Sequence, residues 1–260
     1  MRMRFKPYAR PELLASPLHA HEPMANKGHW HQVFARPQQP LHLELGCGKG
    51  GYLAELASRH PENNYLGIDI TDKVLVLAKR KIEAAFAEKG IPADNVQIMS
   101  LDIERLDSAF DPSDTVERIY INFCNPWNRK AAHKKHRLTF TRQLILYRNF
   151  LVDGGEIYFK TDDDGLFNDS LEYFPEAGFE ITWKTFDLHQ NEPEWNIRTE
   201  HEGMFTEQGI PTKALIAVKR PATDQELARN LEGRIAYEKA QAARRRAEQD
   251  ARSHKASAAE

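Results

Sequence analysis

Asn125, Pro126 and Trp127 follow an apolar run, Ile119 to Phe123, and precede a basic segment carrying Arg129, Lys130, His133, Lys134, Lys135, His136 and Arg137. A polar amide at the end of a buried strand is held rigidly, and the adjoining indole offers a flat surface to a base. The cations behind it suit phosphate positioning rather than base readout, with Lys130, Lys134, Lys135 and Arg137 as the phosphate contacts. Together these residues describe a reactive site beside a nucleic-acid surface, with Asn125 as the group at the chemistry.

A second group surrounds the sequence LELGCGKGG. Gly46, Gly48 and Gly50 sit where a chain leaving a strand turns sharply, and the helix that follows presents its positive N-terminal end. The spacing Gly46-x-Gly48-x-x-Gly51 also fits a dinucleotide fingerprint, so the glycines alone do not choose the ligand. Two carboxylates favour a smaller, cationic one. Glu44, inside the strand before the turn, suits a positive group and is poorly suited to a pyrophosphate, while Asp69, at the end of the next strand, is placed for ribose hydroxyls. An adenosine with a positively charged amino-acid end, S-adenosylmethionine, satisfies both. Asp102, just past the third strand, is placed to reach the adenine or its surroundings.

Two further segments lie toward the same rim. Phe159-Lys160-Thr161-Asp162 ends another strand, and Asp162 could accept hydrogen bonds from the Watson–Crick edge of a guanine or cap the following helix. Thr199-Glu200-His201-Glu202, expected in a loop before the last strand, adds polar groups that could hold the same base.

The elements that must position these residues alternate. Strands are expected at Leu41–Leu45, Tyr65–Ile70, Val96–Ser100, Arg118–Phe123, Glu156–Thr161, Glu180–Thr185 and Ala214–Val218, with a turn at Gly154-Gly155. Helices are expected at Gly50–Arg59, Asp72–Glu88, Leu138–Phe150 and Leu166–Phe174. This order predicts an α/β fold with a doubly wound, mostly parallel sheet, whose ligands bind at the carboxyl ends of the strands.

Composition bounds the rest. The 260 residues carry a formal charge of -2, so any basic surface arises from local clustering. Cys47 and Cys124 flank apolar strands, as packing residues do in a reducing compartment, and no run is long enough to span a bilayer. A cytosolic protein is expected, with no obligate protein partner and no metal, since no Cys or His spacing makes a metal site. Residues 1–40 read as a basic, irregular arm docked through Leu13, Leu14, Trp30 and Phe34, whose Arg2, Arg4, Lys6 and Arg10 are candidates for phosphate contacts. Residues 41–220 form the catalytic domain, and 221–260 a charged Ala/Arg/Glu-rich tail, either a solvated helix or frayed chain.

Over roughly residues 41–219 the chain resembles the tRNA (guanine-N7)-methyltransferase family, through LELGCGKGGYLAELA, NYLGIDI, YINFCNPWNRKAAHKKHRLT, GGEIYFKTDDDGLF and the TEHE segment. The resemblance implies a class I methyltransferase, Rossmann-like fold with an antiparallel last strand. It implies transfer of the methyl group of S-adenosylmethionine to N7 of a guanine in the tRNA variable loop, giving 7-methylguanosine. Glu44, Asp69, Asp102 and Asn125 would lie at the cofactor, and Arg129, Asp162 and Thr199, Glu200, His201 and Glu202 at the guanine. Relatives usually read Asp-Pro-Trp where this chain has Asn125-Pro126-Trp127, and an aromatic residue where His201 stands. Guanine N7 carries no proton to remove, so loss of a carboxylate leaves the chemistry possible. The Asn-Pro-aromatic turn also resembles that of exocyclic-amine (adenine-N6 type) methyltransferases, whose second proline Trp127 replaces. A relative that binds RNA without catalysis is the alternative of another class.

Overall fold

The strand β1 (Leu41–Leu45) is buried at every position, including His42 and Glu44, which marks a strand covered on both faces. In the computed structural model, which describes residues 6–257, it is the third strand of a seven-stranded sheet. The order is β3 (Val96–Ser100), β2 (Asn64–Asp69), β1, β4 (Val116–Asn122), β5 (Leu151–Thr161), β7 (Lys213–Lys219), β6 (Phe179–Thr185). Strands β1 to β5 run parallel, and β7 lies antiparallel to both β5 and β6. This is the expected doubly wound sheet with an antiparallel last strand.

Helices α1 (Ala9–Leu14), α2 (Gly51–Arg59), α3 (Asp72–Lys89), α4 (Thr141–Tyr147), α5 (Asp164–Glu176), α6 (Glu200–Glu207) and α7 (Asp224–Ser257) complete the fold. Apolar side chains pack on both sides of the sheet: Leu53, Leu75 and Ile82 join one cluster, Leu144, Phe167 and Phe174 the other. Each such buried side chain contributes roughly 1.5–3 kcal/mol. No helix of the described residues is long and apolar enough to cross a membrane.

Several boundaries differ from expectation. The helix expected over Leu138–Phe150 is confined to α4, because Arg137 turns inward and Leu138 faces the pocket described below. The Gly154-Gly155 turn lies inside β5, where Gly154 takes φ +78 and the pairing with β4 shifts register. TEHE starts a helix, α6, rather than lying in a loop.

The N-terminal arm carries α1 and two short turns and is docked on the sheet edge. Leu18 and Ala20 hydrogen-bond Ile98 of the β3 edge, and the Trp30 indole donates to the Ala109 carbonyl at 2.7 Å. Leu13, Trp30 and Phe34 are buried as expected, whereas Leu14 is 50% exposed. Arg10 pairs with Asp72, while Arg2 and Arg4 lie outside the described residues. The tail forms α7, whose Arg234 is buried against α5.

Candidate active site

The glycine turn between β1 and α2 is built on backbone that favours glycine. Gly46 takes φ +76 and donates its N–H to the Ile68 carbonyl at 2.8 Å. At Gly50, with φ +70, a Cβ would stand 2.5 Å from the Cβ of Ala78, so only glycine lets α2 and α3 pack this closely. Asp69, at the end of β2, accepts the Gly48 N–H at 3.1 Å and the Thr71 N–H at 3.1 Å, joining the turn to the start of α3.

These segments open onto a cavity of 410 Å³ at the carboxyl ends of β1, β2 and β4. Its wall includes Glu44, Gly46, Gly48 and Asp69 on one side and Asn125, Trp127, Thr199, Glu200 and His201 elsewhere. The structure therefore brings together most of the residues expected at cofactor and substrate.

Glu44 decides what the cavity can hold. Its Oε1 accepts from the Asn122 amide at 3.1 Å, but Oε2 is buried without a partner. Burial pushes the carboxyl up to about 8, against the Asn122 hydrogen bond and the Lys160 charge, which pull it down. An unsatisfied buried carboxylate oxygen beside a glycine cradle and Asp69 fits a cationic amine joined to a nucleoside, as in S-adenosylmethionine.

The reaction end is a strained turn. Phe123 and Trp127 both take φ +50, a left-handed conformation uncommon for bulky residues. Between them, Asn125 Oδ1 accepts the Trp127 N–H at 3.0 Å. The Trp127 ring lies against the imidazoles of His136 and His133, at 5.3 and 6.0 Å between centroids.

Phe123, His201 and Phe205 form an aromatic facet. Their centroids lie 5.7, 5.9 and 6.2 Å apart with interplanar angles of 16° to 29°. A linear stack would put the outer pair near twice the inner spacing, so the three near-parallel rings sit as a triangle. Two of them, Phe123 and His201, line the cavity.

The segment over the cavity is held by a buried ion pair. Lys160 Nζ meets Glu202 Oε2 at 2.6 Å and also donates to Asn196 Oδ1 and the Ile197 carbonyl, both at 2.9 Å. Glu202 accepts the Thr199 N–H at 2.8 Å, and Thr199 Oγ1 accepts the Glu202 N–H at 3.0 Å, closing a capping box at the start of α6. Glu200 pairs with Lys49 and Lys81, tying α6 to the glycine turn and to α3.

Several residues expected at the site have other partners in this geometry. Glu202 is 0% exposed, pairs with Lys160 and caps α6, and it does not line the cavity. Asp102 lies outside the cavity wall and caps a short turn through the Glu104 N–H at 3.0 Å. Asp162 is also outside the wall, at the end of β5; the cap of α5 is its neighbour Asp163, which also binds Asn128.

In the basic segment, Arg137 is 1% exposed and binds the Pro126 carbonyl, Asn128 and Asp169, bracing the turn from behind. Lys134 is likewise paired with Asp169 at 2.7 Å. Neither is free to meet a phosphate, whereas Arg129, Lys130 and Lys135 remain exposed. Asn122, Phe123, Tyr52 and the two free cysteines, all on the cavity wall, escaped the sequence reasoning; their apolar or strand-interior context marks them only as core.

Residues 38–215 match the model of a family described as a putative methyltransferase. The tRNA (guanine-N(7)-)-methyltransferase of Clostridium perfringens (strain SM101 / Type A) is 58% identical over 219 residues, covering 84% of this chain and all of that protein. The chain belongs to the tRNA (guanine-N7)-methyltransferase family. The family's Clostridium botulinum (strain Eklund 17B / Type B) member is 55% identical over 84% of this chain and 99% of its own length. Among solved structures, the 16S rRNA methyltransferase KamB shares the fold at 14% identity, with a TM-score of 0.50 over 70% of this chain and 89% of that one. As a member of this family the protein is an S-adenosylmethionine-dependent methyltransferase, and the Glu44 cradle suits that cofactor.

Proposed function

We propose that this protein methylates N7 of a guanine in the variable loop of tRNA, producing 7-methylguanosine. The observation that carries this reading is the 58% identity along the whole length of a relative bearing that activity in its name. When bound, S-adenosylmethionine supplies an electrophilic methyl group on a sulfonium centre. Glu44 would hold the cofactor's amino group through its unpartnered Oε2, and Asp69 would hold the ribose hydroxyls.

Asn125 fixes the turn that carries Trp127, whose ring would stack on the target base and orient its N7. No general base is required, because N7 reacts through a free lone pair. Methylation leaves the purine positively charged, and the rings of Phe123 and His201 on the cavity wall stabilise charge that develops there. Exposed Arg129, Lys130 and Lys135 hold the phosphates around the base. Free Cys47 and Cys124 suit a cytosolic enzyme.

The test is to incubate the protein with unmodified tRNA and S-adenosylmethionine, digest to nucleosides and identify the product by mass spectrometry. 7-Methylguanosine is expected. N6-methyladenosine would instead assign the site to exocyclic amines, and no methylated nucleoside would make the protein a binder.

A further inference from the structure

Helix α7 begins at Asp224, beyond residue 215, where the matched family model ends. Its placement is nevertheless specific. Arg234 donates to Glu172 at 2.7 Å and to Glu176 at 3.0 Å, and its guanidinium lies 4.9 Å from the Tyr173 ring centroid. One turn on, Glu238 accepts from the Tyr173 hydroxyl at 3.2 Å. These contacts fix the rotation of the helix about its axis.

That rotation turns Ile235, Lys239 and Ala242, which share a flank at helical spacing, toward Lys135, Phe140 and Arg142. Between the two sets lies a groove of 310 Å³. Phe140, Ile235 and Ala242 give it apolar walls, and Lys135, Arg142 and Lys239 give it positive charge. Lys135 and Lys239 are exposed and make no ion pair among the described residues; Arg142 pairs with Glu104. The one carboxylate lining the groove, Glu238, is engaged by Tyr173 and lies 3.9 Å from Lys134.

We propose that this groove is a second RNA contact, in which a backbone phosphate of the substrate meets Lys239 and Lys135 while the adjoining nucleoside rests on Ile235 and Ala242. Charge complementarity selects a polyanion, and position selects the strand already bound at the active site. The short turn Ala131–His136 supplies Lys135 to the groove, while its His133 and His136 pack against Trp127 on the cavity wall. RNA leaving Trp127 along this turn runs into the groove. The inference rests on the proposed reading that the substrate is tRNA.

The test uses the full chain and two substitutions on α7 alone, Lys239→Glu and Ala242→Glu, with binding of unmodified tRNA followed by fluorescence anisotropy across salt concentrations. Each should weaken binding by roughly three- to tenfold at physiological ionic strength, and Lys239→Glu should lower the slope of log affinity against log salt by about 0.7–0.9, the signature of one lost phosphate contact. Retained S-adenosylmethionine binding checks that the variants fold. Affinity and salt slope equal to the parent's in both variants would overturn the proposal. Failure of the underlying reading is separately visible, as a parent protein that forms no 7-methylguanosine.

Discussion

Asn125 Oδ1 accepts the backbone N–H of Trp127 at 3.0 Å, and this contact holds a residue whose φ of +50 is otherwise disfavoured. An oxygen at this position is what the turn requires, and Asn and Asp both supply it. The turn can therefore be held by either residue. Asn125→Ala should lose most methyl transfer, on the order of a hundredfold in kcat/KM, because Trp127 is released from its strained position. Asn125→Asp should retain it. Single-turnover methylation of tRNA by the three proteins decides the matter, and equal rates would remove the positioning role.

Glu44 makes cofactor binding depend on pH. Its carboxyl, raised to about 8 by burial, is protonated at neutral pH without ligand, yet a cationic amine needs it ionised. Binding at pH 7 should therefore release about one proton from Glu44, and affinity should weaken as pH falls below 8. Calorimetry in buffers of different ionisation enthalpy measures that release, and Glu44→Gln should abolish it while weakening affinity.

The same shift affects the ligand-free fold. The raised carboxyl contributes stability that is fully present below about 4.5 and lost as pH rises toward 8, since the unfolded chain ionises through that window and the folded chain does not.

The central sheet is legible in the sequence because its strands are short segments of recurring apolar residues bounded by turn residues, as Leu41–Leu45 between Pro40 and Gly46 is at its observed boundaries. The glycine turn is legible because positive φ leaves few residue choices. Side-chain direction in the basic segment is not, because Arg137 is drawn inward by Asp169, which only the packing of α5 brings near. Glu202 carried a signal that points inward: Thr199 and Glu202 have the spacing of a capping box, which commits both side chains to the helix start. The order of α7 depends on Arg234 finding Glu172 and Glu176 on another helix, which composition cannot reveal.

The aromatic facet predicts how His201 can be replaced. His201→Phe keeps a ring beside Phe123 and Phe205 and should keep the rate, whereas His201→Leu should lower kcat at saturating tRNA and cofactor. A cation–π contribution of about 0.5–2 kcal/mol to the developing purine charge corresponds to roughly two- to thirtyfold. Equal kcat values for the Leu and Phe variants would show that the rings pack without touching the reaction.

The Lys160–Glu202 pair separates stability from activity. Both partners are nearly inaccessible, and Lys160 satisfies three acceptors while Glu202 also holds the Thr199 N–H. Removing one partner strands a buried charge, so Lys160→Met or Glu202→Leu alone should destabilise the protein by about 3–5 kcal/mol, a Tm loss on the order of 10 °C. The double variant replaces both charges with apolar groups and should recover much of that stability. It cannot restore the bond from the Thr199 N–H, so the start of α6 with its cavity-lining His201 stays loosely placed. Thermal melts of the single and double variants, set beside their kcat/KM for tRNA, test the division: recovered Tm with unrecovered kcat/KM is expected. Recovery of both would show that packing alone positions α6, with no need for the capping carboxylate.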